Sequence, residues 1–443
     1  MAQPRAEPIE RLRDDVRLLG RLVGEVLREQ GGADLFAAVE HLRTAAIAAR
    51  SAAGAQGSAA ADTAAPPPAG EHAGHDHGAA APDGDSLLDW AEAQSAERLL
   101  QLARAFGVYF HIINLAEQHH RVRTLRERAR AGAPLRESIG AAVAALREQG
   151  LTTAALHAGI RGLSVHPVFT AHPSEARRRT LLQHLEAAAA LIAALDDPRA
   201  SPAERAATLD ALRCRITLIW QTAEARVERP SVLDEVQTVL YYLAGTVYDV
   251  APAVWRALDA ALAAEPRTEE TDAAPQAAGG PDGSLPPPVK APALLRYGSW
   301  VGGDRDGNPA ITPEVTRAAA RLARAALLRR YREELRTLGR ALSISARLVG
   351  ASPALLASLE ADRAALGVQA VARWSDEPYR RKLGLMGERL RRLESGAPGG
   401  YATPDALLAD LALIEESLAA HRGQRIVAGG LRDLRRRISA FGF

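Results

Sequence analysis

The chain has 443 residues, 47% hydrophobic and 24% charged, a composition typical of soluble globular proteins rather than disordered or fibrous ones. Its 55 basic and 53 acidic residues leave a net charge of +2, which argues against binding nucleic acid through net charge. The single cysteine, Cys214, excludes an internal disulfide, and the apolar run 187–195 is too short to span a membrane. Because no apolar segment follows the first charges, we expect a cytoplasmic protein without membrane or nucleic-acid partners.

Helix-favouring residues dominate the chain, and aromatic residues make up only 4% of it, so most segments are predicted to be helical. A first helix is predicted from an apolar stripe at helical spacing, formed by Leu12, Val16, Leu19, Val23 and Val26. Further helices are predicted over 34–50, 87–130, 202–226, 231–263, 313–345, 353–366, 377–394, 404–421 and 431–440. The last of these carries three arginines, expected to form a solvated face: Arg435, Arg436 and Arg437.

Two low-complexity stretches, 51–84 and 265–288, are rich in Ala, Gly and Pro and are predicted to be inserts, because such compositions cannot pack a core. Helical patterning continues on both sides, so neither insert marks a domain boundary. The first contains His72, His75 and His77, which could bind zinc or nickel weakly. We favour a plain insert, because a flexible segment offers no surrounding groups to orient metal ligands.

One convincing strand is predicted, over 165–170, and it ends shortly before His172. Ser174 is placed to cap the next helix. A histidine at the end of a strand can act as a general acid or base near neutral pH. A lone histidine can also be a capping or packing residue. The arginines and the glycine-rich loop described next bear on the choice between a catalytic and a structural role.

Two arginines extend apolar helix stripes. Arg178 precedes Leu181 and Leu185 on one face, and Arg226 continues a stripe formed by Leu209, Leu212, Ile216 and Ile219. A charge on an apolar face needs a partner, because burying it alone costs too much free energy. The partner is either an anionic ligand or a buried acid such as Glu224 or Asp234, unless both arginines reach solvent near the helix ends.

A third constellation is GSWVGGDRDGNPAITPE, residues 298–314, which we call the motif loop. Its glycines permit positive φ or close backbone approach, and three charges follow directly. The Asp-x-Asp-Gly-Asn string is not a calcium loop, because Pro309 occupies the position that requires glycine. The motif residues are Trp300, Gly302, Gly303, Asp304, Asp306 and Asn308.

Two strings, TAHPSEARRRT and GSWVGGDRDGNP, resemble the two long motifs of bacterial-type phosphoenolpyruvate carboxylase. Weaker similarity covers the rest of the chain apart from the inserts. The resemblance implies a mainly α structure that is the N-terminal portion of a helix-elaborated (β/α)8-type barrel, with the whole of 1–443 belonging to that portion.

The resemblance also implies the chemistry. The family condenses phosphoenolpyruvate with bicarbonate, forming oxaloacetate and phosphate with Mg²⁺ as cofactor, and so replenishes the tricarboxylic acid cycle. His172 corresponds to its catalytic histidine. The arginines that match an allosteric sugar-phosphate site are Arg178, Arg179, Arg226 and Arg305. A homotetramer is the implied assembly.

The sequence stops at Phe443, where the family continues into its phosphoenolpyruvate-binding and Mg²⁺-binding segments. We therefore expect an enzyme that needs the missing C-terminal half as a partner. The alternative is a non-catalytic helical module that retains an anion site or an oligomer contact.

Overall fold

The computed structural model describes residues 8–56, 84–132, 135–170, 178–224, 230–264, 294–367 and 374–443. These residues are mostly helical, which confirms the mainly α class. They fall into two compact units: residues 1–133 with 175–228 form the first, and residues 134–174 with 229–443 form the second. Within the described ranges only two short strands occur, so the (β/α)8-type barrel stays a prediction.

The elements in chain order are α1 (Pro8–Gln56), α2 (Gly84–Glu92), α3 (Ala96–Arg130), α4 (Ile139–Glu148), α5 (Thr153–Gly162), β1 (Val168–Phe169), α6 (Arg179–Ala194), α7 (Pro202–Gln221), α8 (Val232–Tyr242), α9 (Tyr248–Ala263), β2 (Gly298–Ser299), α10 (Pro313–Ala341), α11 (Pro353–Leu366), α12 (Pro378–Ser395), α13 (Pro404–Ala420), α14 (Gln424–Ile426) and α15 (Arg432–Phe441). Two π-helical segments, Leu243–Val247 and Val427–Leu431, join α8 to α9 and α14 to α15.

The core of the first unit is built from apolar stripes of α1, α3, α6 and α7. The predicted stripe of α1 is confirmed, because Leu19, Val23 and Val26 are buried. Gly32 breaks α1 with φ 81° and ψ 170°, which separates the two helices that the sequence predicts there. The second of these continues to Gln56, into the predicted insert, and the rest of that insert up to residue 83 lies outside the described residues.

One predicted helix end in this unit was wrong. Helix α6 begins at Arg179 with Arg178 as its N-cap, and Ser174, which was predicted to cap the helix after the strand, lies outside the described residues. Helix α7 ends at Gln221, because Thr222 turns into extended backbone with φ −93° and ψ 124°. The apolar stripe of α7 therefore ends with the helix and does not continue to position 226.

In the second unit, one glycine interrupts the helix predicted over 231–263, and another lies in the gap between the helices predicted over 404–421 and 431–440. Gly245 has φ −99° and ψ −114°, and Gly429 has φ −91° and ψ −130°, both outside the helical region. Each glycine lies within a π-helical segment, a feature that inserts one residue into the helical ladder. The predicted helix 231–263 runs across the first segment, because the apolar periodicity continues through it.

The arginines of α15 form the predicted solvated face only in part, because Arg435 is exposed but all three pair with acids of other helices. Arg436 is 7% exposed and donates to Asp259 of α9. Arg437 Nη1 lies 2.9 Å from Glu334 Oε2 of α10, and Arg435 Nη1 lies 2.6 Å from Glu415 Oε2 of α13. The three arginines therefore attach α15 to three different helices.

A buried ionic cluster joins α11, α12 and α13. Lys382 is fully buried, and its Nζ donates to Ser358 Oγ (2.6 Å), Asp362 Oδ2 (2.6 Å) and Asp410 Oδ1 (2.7 Å). Asp410 Oδ2 also accepts from Arg389 Nη1 at 2.9 Å and from the Tyr401 hydroxyl at 2.6 Å. All three protons of the ammonium thus have acceptors, which satisfies the requirement for burying a charge.

Across the part of the chain that the structure describes, one helix is long and apolar enough to cross a membrane by length and composition alone. It is α3, with a mean hydropathy of 1.3 over its most apolar window. A core helix of a soluble protein passes the same test, so a single such helix is weak support for a membrane span. Leu102, Val108 and Ile112 of α3 lie in the core of the first unit.

Candidate active site

A two-stranded parallel sheet in the second unit lies where the two long motifs begin. Val168 of β1 pairs with Gly298 of β2, and Phe169 pairs with Ser299. The strand predicted over 165–170 is confirmed in a shorter form, with an added bridge from Val165 to Leu295. Strand β2 was not predicted, because glycine and serine have low strand propensity and the run reads as the start of a loop.

The pairing brings the starts of the two motifs to one edge. The backbone N–H of Trp300, directly after β2, donates to the carbonyl of Phe169, the last residue of β1, at 2.9 Å. In a parallel sheet the carboxyl ends of neighbouring strands meet at the same edge, where many α/β enzymes place their sites. His172 itself lies outside the described residues, so the structure follows this segment only as far as Thr170.

The motif loop is held by its own side chains. The N–H groups of Gly303 and Asp304 donate to the Trp300 carbonyl at 2.8 and 2.9 Å. The Asp306 N–H donates to Asp304 Oδ1, and the Ala310 N–H donates to Asn308 Oδ1, both at 3.1 Å. Asp304 and Asn308 therefore fix the backbone, while the Trp300 ring remains 58% exposed.

Gly302 anchors this loop on the helices beneath it. Its φ is +80°, and a Cβ there would lie 2.8 Å from Ala319 Cβ of α10 and 2.9 Å from Val236 Cγ2 of α8. An apolar cavity of about 290 Å³ adjoins the contact and reaches Phe441. Glycine is required at this position for two reasons: its backbone has a positive φ, and the backbone approaches the side chains of α8 and α10 closely.

Replacing Gly302 with alanine is expected to destabilise the second unit by about 1–3 kcal/mol, because the methyl group meets two side chains at a positive φ. Urea unfolding followed by circular dichroism measures this change. Gly303→Ala is the matched control, since its Cβ would lie 3.5 Å from the Trp300 carbonyl, an ordinary contact. Equal losses in the two variants would contradict this account of Gly302.

The described residues place the predicted anion-site arginines in separate units. Arg178 and Arg179 begin α6 in the first unit, whereas Arg305 lies exposed in the motif loop of the second. Arg226 lies outside the described residues. The Arg178 Nε is buried and has no hydrogen-bond partner within the described ranges, as is also true of the Nε atoms of Arg330 and Arg381.

Of the two acids considered as buried partners for these arginines, Glu224 is exposed, whereas Asp234 also caps a helix. The side chain of Glu224 is 55% exposed, and its Oε1 lies 3.0 Å from His111 Nε2. Asp234 accepts from the N–H of Ser231 at 3.0 Å and so caps α8. The expectation that Glu224 is a buried acid was therefore wrong.

No group of three or more His, Cys, Asp or Glu side chains that could hold a metal ion occurs among the described residues. The residues that the structure describes therefore offer no such cluster to a Mg²⁺ ion. The histidines proposed as a weak zinc or nickel site, His72, His75 and His77, lie outside the described ranges.

Comparison with known proteins identifies the family. The sequence profile of phosphoenolpyruvate carboxylase matches residues 12–443. A phosphoenolpyruvate carboxylase of Xanthomonas campestris pv. campestris (strain 8004) is 39% identical over 99% of this chain. Those of Azoarcus sp. (strain BH72) and of Thermus thermophilus are each 36% identical over 98% of it.

The chain spans less than half the length of these relatives: 44%, 43% and 42% of them respectively. The similarity nevertheless runs through both motifs and through nearly the entire chain. The chain therefore belongs to the phosphoenolpyruvate carboxylase family.

Proposed function

We propose that this chain is the N-terminal part of a cytoplasmic phosphoenolpyruvate carboxylase, a lyase that supplies oxaloacetate to the tricarboxylic acid cycle. The observation that carries the proposal is the hydrogen bond from Trp300 to Phe169, which sets the beginnings of the two family motifs side by side. In this proposal β1 and β2 are strands of the (β/α)8-type barrel, and the C-terminal half supplies the others.

His172 is the proposed general acid and base. An oxygen of bicarbonate attacks the phosphorus of phosphoenolpyruvate, and the bond from phosphorus to the enol oxygen breaks, which leaves carboxyphosphate and pyruvate enolate. The imidazole then takes the carboxyl proton of carboxyphosphate, so that the C–O bond breaks and releases CO₂ and phosphate. Carbon 3 of the enolate attacks CO₂ and forms oxaloacetate. A group that titrates near neutral pH suits this proton transfer.

Magnesium is the proposed cofactor, and it would stabilise the negative charge of the enolate oxygen. Because the described residues hold no suitable ligand set, we assign the metal ligands to the C-terminal half. This chain contributes the histidine segment and the motif loop, and the loop backbone is held rigid by Asp304 and Asn308.

Arg178, Arg179, Arg226 and Arg305 are proposed as anion-binding residues, with a sugar phosphate as the ligand class. The buried, unpartnered Nε of Arg178 supports this role, because a buried guanidinium donor needs an acceptor. A homotetramer with the C-terminal half present is the proposed assembly. The second candidate function is that of a non-catalytic helical module. In that case the Nε of Arg178 would serve as an anion-binding group.

The two candidate functions are distinguished by an assay of oxaloacetate formation from phosphoenolpyruvate, bicarbonate and Mg²⁺. The assay is coupled to malate dehydrogenase and NADH. We expect the 443-residue chain to be inactive alone and active after mixing with the downstream polypeptide. Each half alone is the control. Activity of the chain alone would contradict the assignment of metal and substrate ligands to the other half. Inactivity of the stable mixture would favour the non-catalytic module.

A further inference from the structure

A second site candidate lies away from the motif loop, in a groove of about 440 Å³ between α10 and α12 of the second unit. Cavities of this size accommodate small molecules. Its floor includes Gly339, Gly384 and Gly387, and Glu388 is the one acidic residue in the lining that the structure describes. Its walls carry five arginines: Arg332, Arg336, Arg340, Arg380 and Arg391.

Two of these arginines are uncompensated. Carboxylates pair with the other three: Arg332 with Glu394, Arg380 with Glu377, and Arg391 with Glu388. Arg336 and Arg340, one turn apart on α10, are exposed and form no ion pair or hydrogen bond with another residue in the described ranges. Hydrogen bonds from Arg391 and Arg392 hold the pKa of Glu388 at about 2, so this carboxylate is ionised at neutral pH but already engaged.

A third arginine is fixed in orientation. The Arg380 guanidinium lies 4.0 Å from the centroid of the Trp374 ring, and its Nη1 lies 3.1 Å from Glu377 Oε2. A stacked guanidinium loses little further conformational freedom when it binds an anion. The groove therefore combines two free cations with one that is already ordered.

The glycines in α12 keep the groove open. A Cβ on Gly384 or on Gly387 would meet no atom within 4 Å, so packing of the helices does not require glycine at either position. Glycine inside a helix is less favourable than alanine. The space above these two residues is thus maintained at a cost to helix stability.

We propose that this groove binds a small phosphorylated metabolite, with Arg336 and Arg340 contacting its phosphate. The guanidinium fork matches phosphate oxygens in bidentate geometry. The volume, the two uncompensated charges and the open glycine floor all fit a compact anion.

Isothermal titration of the full chain with inorganic pyrophosphate, at constant ionic strength, tests the proposal. The double variant R336Q/R340Q is expected to raise the dissociation constant about tenfold or more, because charge-assisted hydrogen bonds are lost. Gly387→Leu should weaken binding in the same way by filling the groove, and its thermal unfolding shows that the helix is intact.

The matched control is R321Q/R324Q, which removes the same charge from α10 at positions about 18 Å or more from Arg336 along the helix axis. Its dissociation constant should equal that of the unmodified chain. Equal weakening in both double variants would overturn the proposal in favour of non-specific attraction. Absence of binding to the unmodified chain would also overturn it, as would self-association that Gly387→Leu abolishes, because a second copy would then fill the groove.

Discussion

Replacing Lys382 with methionine is expected to lower the free energy of unfolding by about 3–5 kcal/mol, the usual cost of removing one partner from a buried ion cluster. The substitution keeps the length of the side chain but removes the ammonium that three acceptors share. Asp362 and Asp410 would then face each other with Arg389 as their remaining cation. Urea unfolding followed by circular dichroism measures the loss.

An exposed ion pair on the neighbouring helix provides the control. Arg363→Met breaks the pair with Glu360, whose side chain is 57% exposed, so a change within about 0.5 kcal/mol is expected. Adding Asp410→Asn to Lys382→Met should restore part of the stability, because it removes one of the two carboxylates that would share Arg389 as their remaining cation. A loss of less than about 1 kcal/mol for Lys382→Met, or no recovery in the double variant, would contradict this account of the cluster.

The importance of Lys382 was visible in the sequence only as an anomaly of composition. The chain contains two lysines, Lys290 and Lys382, among 55 basic residues. An arginine fork cannot direct its protons to three acceptors arranged around a point, whereas an ammonium can. Composition revealed the exception, but the three acceptors come from α11 and α13, and no local pattern predicts which helices meet.

Helix positions were predictable where caps and apolar spacing are local. Thr312 caps α10 with proline at the first helical position, and α11 runs from Pro353 to Leu366 as predicted. The break at Gly245 was not predictable, because apolar spacing continues through it. The arginines of α15 were also misjudged, since their carboxylate partners are distant in sequence.

The candidate site could also be predicted from the sequence only in part. The motif loop could be predicted as a glycine-dependent turn, and Gly302 has the positive φ that this requires. The pairing of the strand before this loop with the strand before His172 could not be predicted, because β1 and β2 are separated by more than a hundred residues and contain two residues each. Non-local pairing of such short strands leaves no periodic signal.

Replacing His172 with asparagine, in the mixture of this chain with the downstream polypeptide, is expected to lower oxaloacetate formation by about 10²–10⁴-fold, the usual contribution of a general acid or base. Asparagine keeps a polar side chain of similar reach but cannot accept the proton of carboxyphosphate. Ser174→Thr, which keeps the hydroxyl, is the control in the same motif and should retain activity.

The proposed order of steps gives this variant a signature that a merely structural role would not produce. Attack of bicarbonate on phosphorus precedes the proton transfer, so the asparagine variant should still form carboxyphosphate and pyruvate enolate. Water then hydrolyses carboxyphosphate to bicarbonate and phosphate, and a proton from solvent converts the enolate to pyruvate, while oxaloacetate is lost. Phosphate release and oxaloacetate formation are therefore measured in the same reaction, with and without bicarbonate. Parallel loss of both products would place His172 outside the proton transfer and assign it to the structure of the turn after β1.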